Sequence, residues 1–409
     1  MNVPKLRFKE FDGEFQYEKT ARFFKHIRNG FVGTATPYYT DSSGIKYLQS
    51  NNIKDGQINE KNIVYINKEF HKKHEKNTLK MGDLLVVQSG HAGDCAVVNE
   101  KYINCNCHAL IIMTPNSQDE ISTDFLNVYM HTTKGKKELN KLITGNTIKH
   151  ILASDMKKFN FPNLQIEEQK KIAGFFKILN KKIQLQQQKI DLLQEQKTGF
   201  LQKMFPKAGE TQPEMRFDGF TENWKECKLG DVSNIIGGGT PSTSIEEYWN
   251  GNINWYSPVE IGEEIYVYES RKKITEAGLK KSSARILPIG TVLFTSRAGI
   301  GNTAILAREG CTNQGFQSIV PLKEKLDSYF IFSRTEELKR YAEINGAGST
   351  FVEISGKQMS KMPILLPDLK EQKKIGLFFK RLDDEIILQK TKLNFIQQQK
   401  QGFMQQMFI

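Results

Sequence analysis

The sequence predicts an α+β protein made of two mixed α/β units, each followed by one long helix, with the second half repeating the first. Three observations carry this expectation. A chain of 409 residues exceeds the ~250–300 residues at which a single core stops growing. Glu168-Gln-Lys-Lys-Ile172 returns as Glu371-Gln-Lys-Lys-Ile375, and the match runs without a gap to Phe205 and Phe408, with 21 of 38 positions identical. Within that match apolar residues recur at spacings of four and three, the pattern of a coiled-coil seam.

The elements follow in chain order. Residues 1–160 form the first unit, with β-branched runs at Leu84 to Val87 and Leu110 to Met113 that read as strands. Residues 161–205 form the first long helix, whose seam is Ile172, Phe176, Leu179, Ile183, Gln186, Ile190 and Leu193, continued by Lys197, Phe200 and Met204. A helix over 167–205 would be ~58 Å long, the length of a spacer rather than a core helix. Residues 206–212 are a polar linker bounded by Pro206 and Pro213. Residues 213–362 form the second unit, with strands at Val292 to Thr295 and Gln317 to Val320. They also hold a helix from Asp327 to Glu343 that turns Tyr329, Ile331, Phe332, Leu338 and Tyr341 inward. Residues 363–409 carry the second long helix, with seam Ile375, Phe379, Leu382, Ile386, Gln389, Leu393 and Ile396, then Lys400, Phe403 and Met407. Asp368 and Glu371 have the spacing of a capping box at its start.

The polar interruptions of the two seams coincide. Gln186 and Gln389 read as register-setting residues, whereas Lys197 and Lys400 fit either that role or a solvated stretch. Outside the helices the repeat is weaker but persists. Pro4-Lys-Leu-Arg-Phe8 echoes Pro213-Glu-Met-Arg-Phe217, and Gly82-Asp-Leu-Leu-Val86 echoes Gly290-Thr-Val-Leu-Phe294. Gly145-Asn-Thr147-x-x-x-Ile151 likewise echoes Gly348-Ser-Thr350-x-x-x-Ile354. Repeated ends with diverged middles are expected where the ends share a structural job and each middle reads something different.

Composition narrows the function. A hydrophobic fraction of 38% with mean hydropathy −0.49 describes a folded chain, neither disordered nor membrane-spanning. The mixed-charge start gives no sign of a secretion signal, so a cytoplasmic protein is expected. Net charge is +12, and 167–205 and 370–409 each hold eight basic and four acidic residues. A polyanionic partner would therefore meet basic helices and local patches rather than a uniformly basic surface. The five cysteines, Cys95, Cys105, Cys107, Cys227 and Cys311, are too few and too irregular for a disulfide scaffold. Cys105, Cys107, His108, Cys95 and His91 could surround a zinc ion. The repeat puts Asn313 and Gln314 where Cys107 and His108 stand, however, so no metal is expected.

The second half carries Gly237-Gly-Gly-Thr-Pro-Ser242, Tyr248-Trp-Asn-Gly-Asn-Ile-Asn-Trp255, Thr295-Ser-Arg-Ala-Gly-Ile-Gly301 and Thr312-Asn-Gln-Gly-Phe316. The first half has Gly33-Thr-Ala-Thr-Pro37, Gln88-Ser-Gly-His-Ala-Gly93 and Cys107-His-Ala109 in their places. With the repeat, these motifs make the chain resemble the specificity subunit of type I restriction-modification systems over its whole length. The resemblance implies two target-recognition domains, each reading half of a bipartite double-stranded DNA sequence. It implies two long helices packed antiparallel as a spacer, with the pseudo-two-fold symmetry of the repeat. It also implies two modification (methyltransferase) subunits that bring S-adenosylmethionine and methylate adenine. For the full complex it implies two restriction subunits that use ATP and Mg, and no cofactor on this chain.

Residues that read DNA are polar or basic and sit on loops. In the second unit Thr240, Ser242 and Thr243 follow a three-glycine run, which equally fits a tight turn before a strand, and Ser296 and Arg297 follow a strand; Arg is the commonest bidentate partner of guanine, with a surface salt bridge the alternative. Tyr256, Ser257 and Gln314 join them, whereas Trp255 reads as core. In the first unit Thr36, Tyr38, Tyr39, Gln49, Asn51, Ser89 and His91 occupy comparable places, and Lys72, Lys73 and Lys76 read as a solvated face open to phosphate. No catalytic residue is expected: the chain has no Pro-Pro and so no methyl-transfer motif of that kind, and no phosphate-binding loop. The rival reading is a non-enzymatic coiled-coil protein with two protein-binding domains, which predicts no salt-dependent duplex binding.

Overall fold

The computed structural model describes residues 3–145, 149–297, 299–347 and 353–408. Thr147, Gly348, Ser349 and Thr350 of the repeated glycine-threonine anchors, and Ala298 of the Thr295 to Gly301 motif, lie outside the described residues. The chain divides into two compact units, Met1–Gln187 with Thr391–Ile409, and Gln188–Lys390. The division cuts both long helices, so each unit contains the start of its own helix and the end of the other. The sequence-based boundaries set the helices apart as separate segments, whereas these units share them out, and packing shows how. Met407 and Phe408 are buried in the first unit among Phe125, Tyr129 and Phe176, and Met204 is buried in the second beside Trp224 and Phe379.

In the first unit the antiparallel sheet runs in the order Phe24–Asn29, Leu110–Pro115, Leu84–Val87, Cys95–Val97. Its central strands are apolar on both faces and buried over Leu84–Val87 and Leu110–Met113, as a sheet covered on both sides requires. One face packs on the helix Thr123–His131, and the other on Leu48, Ile53 and Tyr102 of the more irregular middle region. A second four-stranded sheet there contains Tyr39–Thr40, Val64–Ile66, Ile45–Leu48 and Asn106–Cys107. The second unit repeats the first arrangement with Ser233–Gly237, Gln317–Pro321, Val292–Phe294 and Thr303–Leu306, and adds Tyr266–Val267 as an edge strand. Its middle region is a three-stranded sheet around Trp249–Tyr256. A short antiparallel pair closes each unit, Gln16–Lys19 with Asn160–Asn163 and Lys225–Lys228 with Pro363–Leu366.

The long helices span Ile166–Met204 and Leu369–Met407. Residues 363–366, ahead of the expected cap, form the closing strand; Ile364 and Leu366 are buried there, and Pro367 follows. Asp368 Oδ1 caps Glu371 N at 2.8 Å, but the reciprocal half of the expected capping box is absent because the Glu371 carboxylate turns to Arg216. The helix expected over 327–343 is two, Ser328–Ser333 and Thr335–Asn345. Arg334, at φ −97° and ψ 20°, breaks it and donates to Leu365 O at 2.6 Å.

The seams are occupied as the spacing requires. Ile172, Phe176, Leu179, Ile190, Ile375, Phe379, Ile386 and Gln389 are buried, while Ile183, Gln186, Leu193, Leu382, Leu393 and Ile396 are half-buried. In the second unit Lys189 meets Glu385, Lys197 meets Asp383 and Phe200 meets Phe378, so the paired segments run antiparallel. In the first unit Phe175 packs edge-on against Phe403 at 5.0 Å.

Candidate functional site

In the second unit three segments far apart in sequence converge. Gly238 lies so close to Thr312 O and Asn313 O that a Cβ would stand 2.1–2.2 Å from them, so only glycine lets the 237–243 loop seat on the 312–316 turn. Trp255 Nε1 donates to Gly239 O at 2.8 Å and fixes that loop from beneath. Thr240 Oγ1 donates to Gln314 Oε1 at 2.6 Å, and Ser296 N donates to Gly315 O at 2.8 Å, which brings in the 295–301 loop. The surface left above this frame is polar. Ser242, Thr243, Arg297 and Gln314 are exposed, and Thr240 and Ser257 half-exposed. The Ser257 hydroxyl is engaged with Glu260 at 2.7 Å, while Gln314 keeps its amide N–H groups to give.

Two residues of the expected set do not belong there. Tyr256 is 1% exposed with its phenol pushed up to about 12 by burial, and Ser296 is fully buried. Their backbones belong to the frame and their side chains are buried, so neither is part of the exposed surface. Strand Trp249–Tyr256 is buried on both faces from Asn254 onward, where Tyr256 clusters with Ile261, Leu293 and Phe316, and the 2.8 Å bond from Ser296 N to Gly315 O ties Ser296 to the 312–316 turn.

The first unit builds its surface from different side chains. Gln49 Nε2 donates to Tyr39 OH at 2.8 Å, and His91 Nε2 donates to Ser50 O at 3.0 Å and Ile53 O at 3.2 Å, tying the 88–93 loop to the 49–53 turn. Ser89 Oγ lies 2.6 Å from His150 Nδ1. Thr36, Asn51 and His91 are exposed, whereas Tyr38 stacks on Phe70 with centroids 4.5 Å apart and presents only an edge. Lys72, Lys73 and Lys76 are exposed at and just after the helix Lys68–Lys73.

His150 and Glu353, which the sequence reading passed over, stand beside Ser89 and Arg297; Glu353 lies 3.8 Å from Arg297 Nη1. The signal that could have found them was the repeated glycine-threonine anchor just upstream of each. The cysteines form no metal-like group. Cys95 reaches Asn127 and lies 3.8 Å from His131, Cys107 and Cys311 are buried with thiols pushed up to about 12, and among the described residues no cluster of three potential ligands occurs. The described helices include none long and apolar enough to cross a membrane.

The long helices also carry exposed apolar side chains. Ile178, Leu185 and Leu192 recur every seven residues on the first helix at 61%, 51% and 54% exposure, and Leu388 and Phe395 hold the places of the last two on the second. A seven-residue repeat of exposed apolar residues is a further seam, outside the one already used.

Comparison with known proteins bears on the whole chain. The family described as "Type I restriction modification DNA specificity domain" matches residues 15–195 and 221–398. The MjaIX specificity subunit of Methanocaldococcus jannaschii is 39% identical over 178 residues, 43% of this chain and 41% of that protein, so the match spans less than half of this relative. The putative MjaX specificity subunit of the same organism is 24% identical over 98% of this chain and 95% of its own length. The solved S subunit of a type I restriction-modification system from M. genitalium superposes with a TM-score of 0.64 at 14% identity, covering 100% of this chain and 99% of that one. A chain from a structure of type I R-M complex assembly and conformational transition gives 0.55 at 17% identity, covering 95% and 96%.

Proposed function

The chain belongs to the type I restriction-modification DNA specificity family, and from that premise we propose that each of its two units reads one half of a bipartite duplex DNA sequence. The observation that carries this is the pair of exposed polar loop clusters, one per unit. Each is mounted on the same sheet and closing strand pair but furnished with different side chains. Hydroxyl, amide, imidazole and guanidinium groups on loops are the chemistry that reads base edges. Lys72, Lys73 and Lys76 supply phosphate contacts that position without specifying.

The chain is a non-catalytic subunit in this reading. S-adenosylmethionine, ATP and Mg act on partner subunits, and the long helices set the distance between half-sites. The exposed rows Ile178, Leu185, Leu192 and Leu388, Phe395 are where helices of two modification subunits dock, because a row of apolar residues at heptad spacing is completed by another helix.

Purified chain incubated with duplex DNA and S-adenosylmethionine is expected to transfer no methyl group, and chain co-expressed with its modification subunit to direct adenine methylation at a bipartite sequence. Methyl incorporation by the rigorously purified chain alone contradicts the non-catalytic assignment.

A further inference from the structure

Each unit closes one loop of its polar cluster with the same backbone bonds. In the first, Val87 N donates to Asp94 O at 2.7 Å and Gly93 N to Val87 O at 2.9 Å; in the second, Thr295 N donates to Asn302 O and Gly301 N to Thr295 O, both at 2.9 Å. Ile151 N donates to Gln88 O at 3.0 Å, and Ile354 N to Ser296 O at 3.2 Å. Thr144 and His150 exchange a pair of backbone bonds, and so do Ala347 and Glu353. These bonds fix the correspondence residue by residue. Ser89 stands in the first unit where Arg297 stands in the second, and His150 stands where Glu353 stands.

Across this shared frame the side chains meet in both units, with different chemistry. Gln88 Nε2 donates to His150 Nε2 at 3.3 Å, which leaves Nδ1–H to donate to Ser89 Oγ at 2.6 Å. Ser89 therefore keeps its own O–H to give. In the second unit Glu353 stands 3.8 Å from one terminal nitrogen of Arg297, and the two side chains are 45% and 46% exposed. The rest of the guanidinium fork is left to give. An ion pair this exposed contributes little to folding, so stability does not account for it.

We propose that these two pairs are the specificity elements of the two units. Ser89 and Arg297 each contact a base edge, and His150 and Glu353 are positioning residues that aim them. The inference rests on the DNA-reading function above and deepens it. Arg297 presents two parallel donors to guanine, and Ser89 presents a single neutral donor, so the two units read different bases from one backbone frame.

The test is methylation mapping of variants co-expressed with the modification subunit. Arg297→Ala relaxes preference at one base pair of one half-site by about tenfold or more. Glu353→Gln relaxes the same base pair, and the double variant goes no further than Arg297→Ala. Ser89→Ala and His150→Ala do the same at one base pair of the other half-site. Arg297→Lys, which keeps the charge and loses the planar fork, retains only part of the preference at that base pair and leaves the rest of the motif intact. The proposal is overturned if Glu353→Gln leaves preference unchanged where Arg297→Ala relaxes it, or if the two act at different base pairs. Equal weakening at every sequence by Arg297→Ala, the mark of a phosphate contact, overturns it as well. If the unaltered chain directs no bipartite methylation, the DNA-reading function fails and this inference with it; a normal motif with insensitive pairs defeats the inference alone.

Discussion

Glu168 and Glu371 are carboxylates with side chains only 1% exposed, and each is gripped through two oxygens by an arginine from the far end of its half. Arg7 Nε and Nη2 reach Glu168 at 2.7 Å each, and Arg216 reaches Glu371 at 2.7 and 2.8 Å. The neighbouring glutamines do a matching job. Gln169 Nε2 donates to Leu164 O while its Oε1 accepts from Ser122 N, and Gln372 joins Pro367 O, Lys325 O and Asp327 N in the same way. That is why the Glu-Gln dipeptide recurs at both helix starts: it staples each helix to its own unit. Arg216→Ala strands a buried charge and is expected to destabilise the second unit by about 3 kcal/mol, read as a shift in the urea midpoint. Arg216→Lys should recover only part, for want of the planar fork. The dipeptide was legible in the sequence; its partners, roughly 160 positions away, were not, because no local pattern marks such a pair. The same limit explains Tyr256 and Ser296, whose loop-like sequence context conceals that their side chains face inward, and His150 and Glu353, whose identities do not repeat.

At the scale of elements, the long helices were readable because a seam sustained over many turns outweighs local ambiguity. The helix expected over 327–343 broke at Arg334 because that guanidinium leaves the periodic pattern to reach Leu365 O, a tertiary contact that periodicity does not encode. The seam lysines, open between register and solvation on sequence grounds, differ between the units. Lys197 pairs with Asp383 at 2.6 Å, and Asp383 also accepts from Tyr329 OH at 2.9 Å. Lys400, its counterpart, lines a small cavity of about 20 Å³ with Asn180, which occupies the place of Asp383, and with His131 and Asp55. Burial pushes the Lys400 ammonium below its ordinary 10.5, and Asp55 opposes this only in part. A lysine whose folded value is depressed penalises the fold at neutral pH, and the penalty lifts as pH rises through the interval up to 10.5, because the unfolded chain then holds more protons. Asn180→Asp should therefore stabilise the first unit near neutral pH by about 1 kcal/mol, with the gain shrinking toward pH 10. Asp383→Asn should cost the second unit about 2 kcal/mol by removing the charge opposite Lys197 and leaving one acceptor oxygen where Lys197 and Tyr329 now have one each. Chemical denaturation of both variants at about pH 7 and pH 10 checks the sign and the pH trend.

Over the whole molecule, the sequence repeat is a repeat of scaffold, carried by the closing strand pairs, the central sheets, the buried arginine-glutamate staples and the loop-closing bonds. The middles share that frame and little else: a four-stranded sheet with histidines and tyrosines in one unit, a three-stranded sheet around two tryptophans in the other. Divergence on a common frame is what two independent readers require, and this independence is the central claim. It is tested most directly by replacing residues 20–155, the first unit's middle, with the equivalent segment of a relative and mapping methylated sites in cells that express the modification subunit. The account predicts a methylated sequence in which one half-site is new and the other, with the length of the gap between them, is unchanged. A chimera that folds, supports methylation and alters both half-sites together would contradict it.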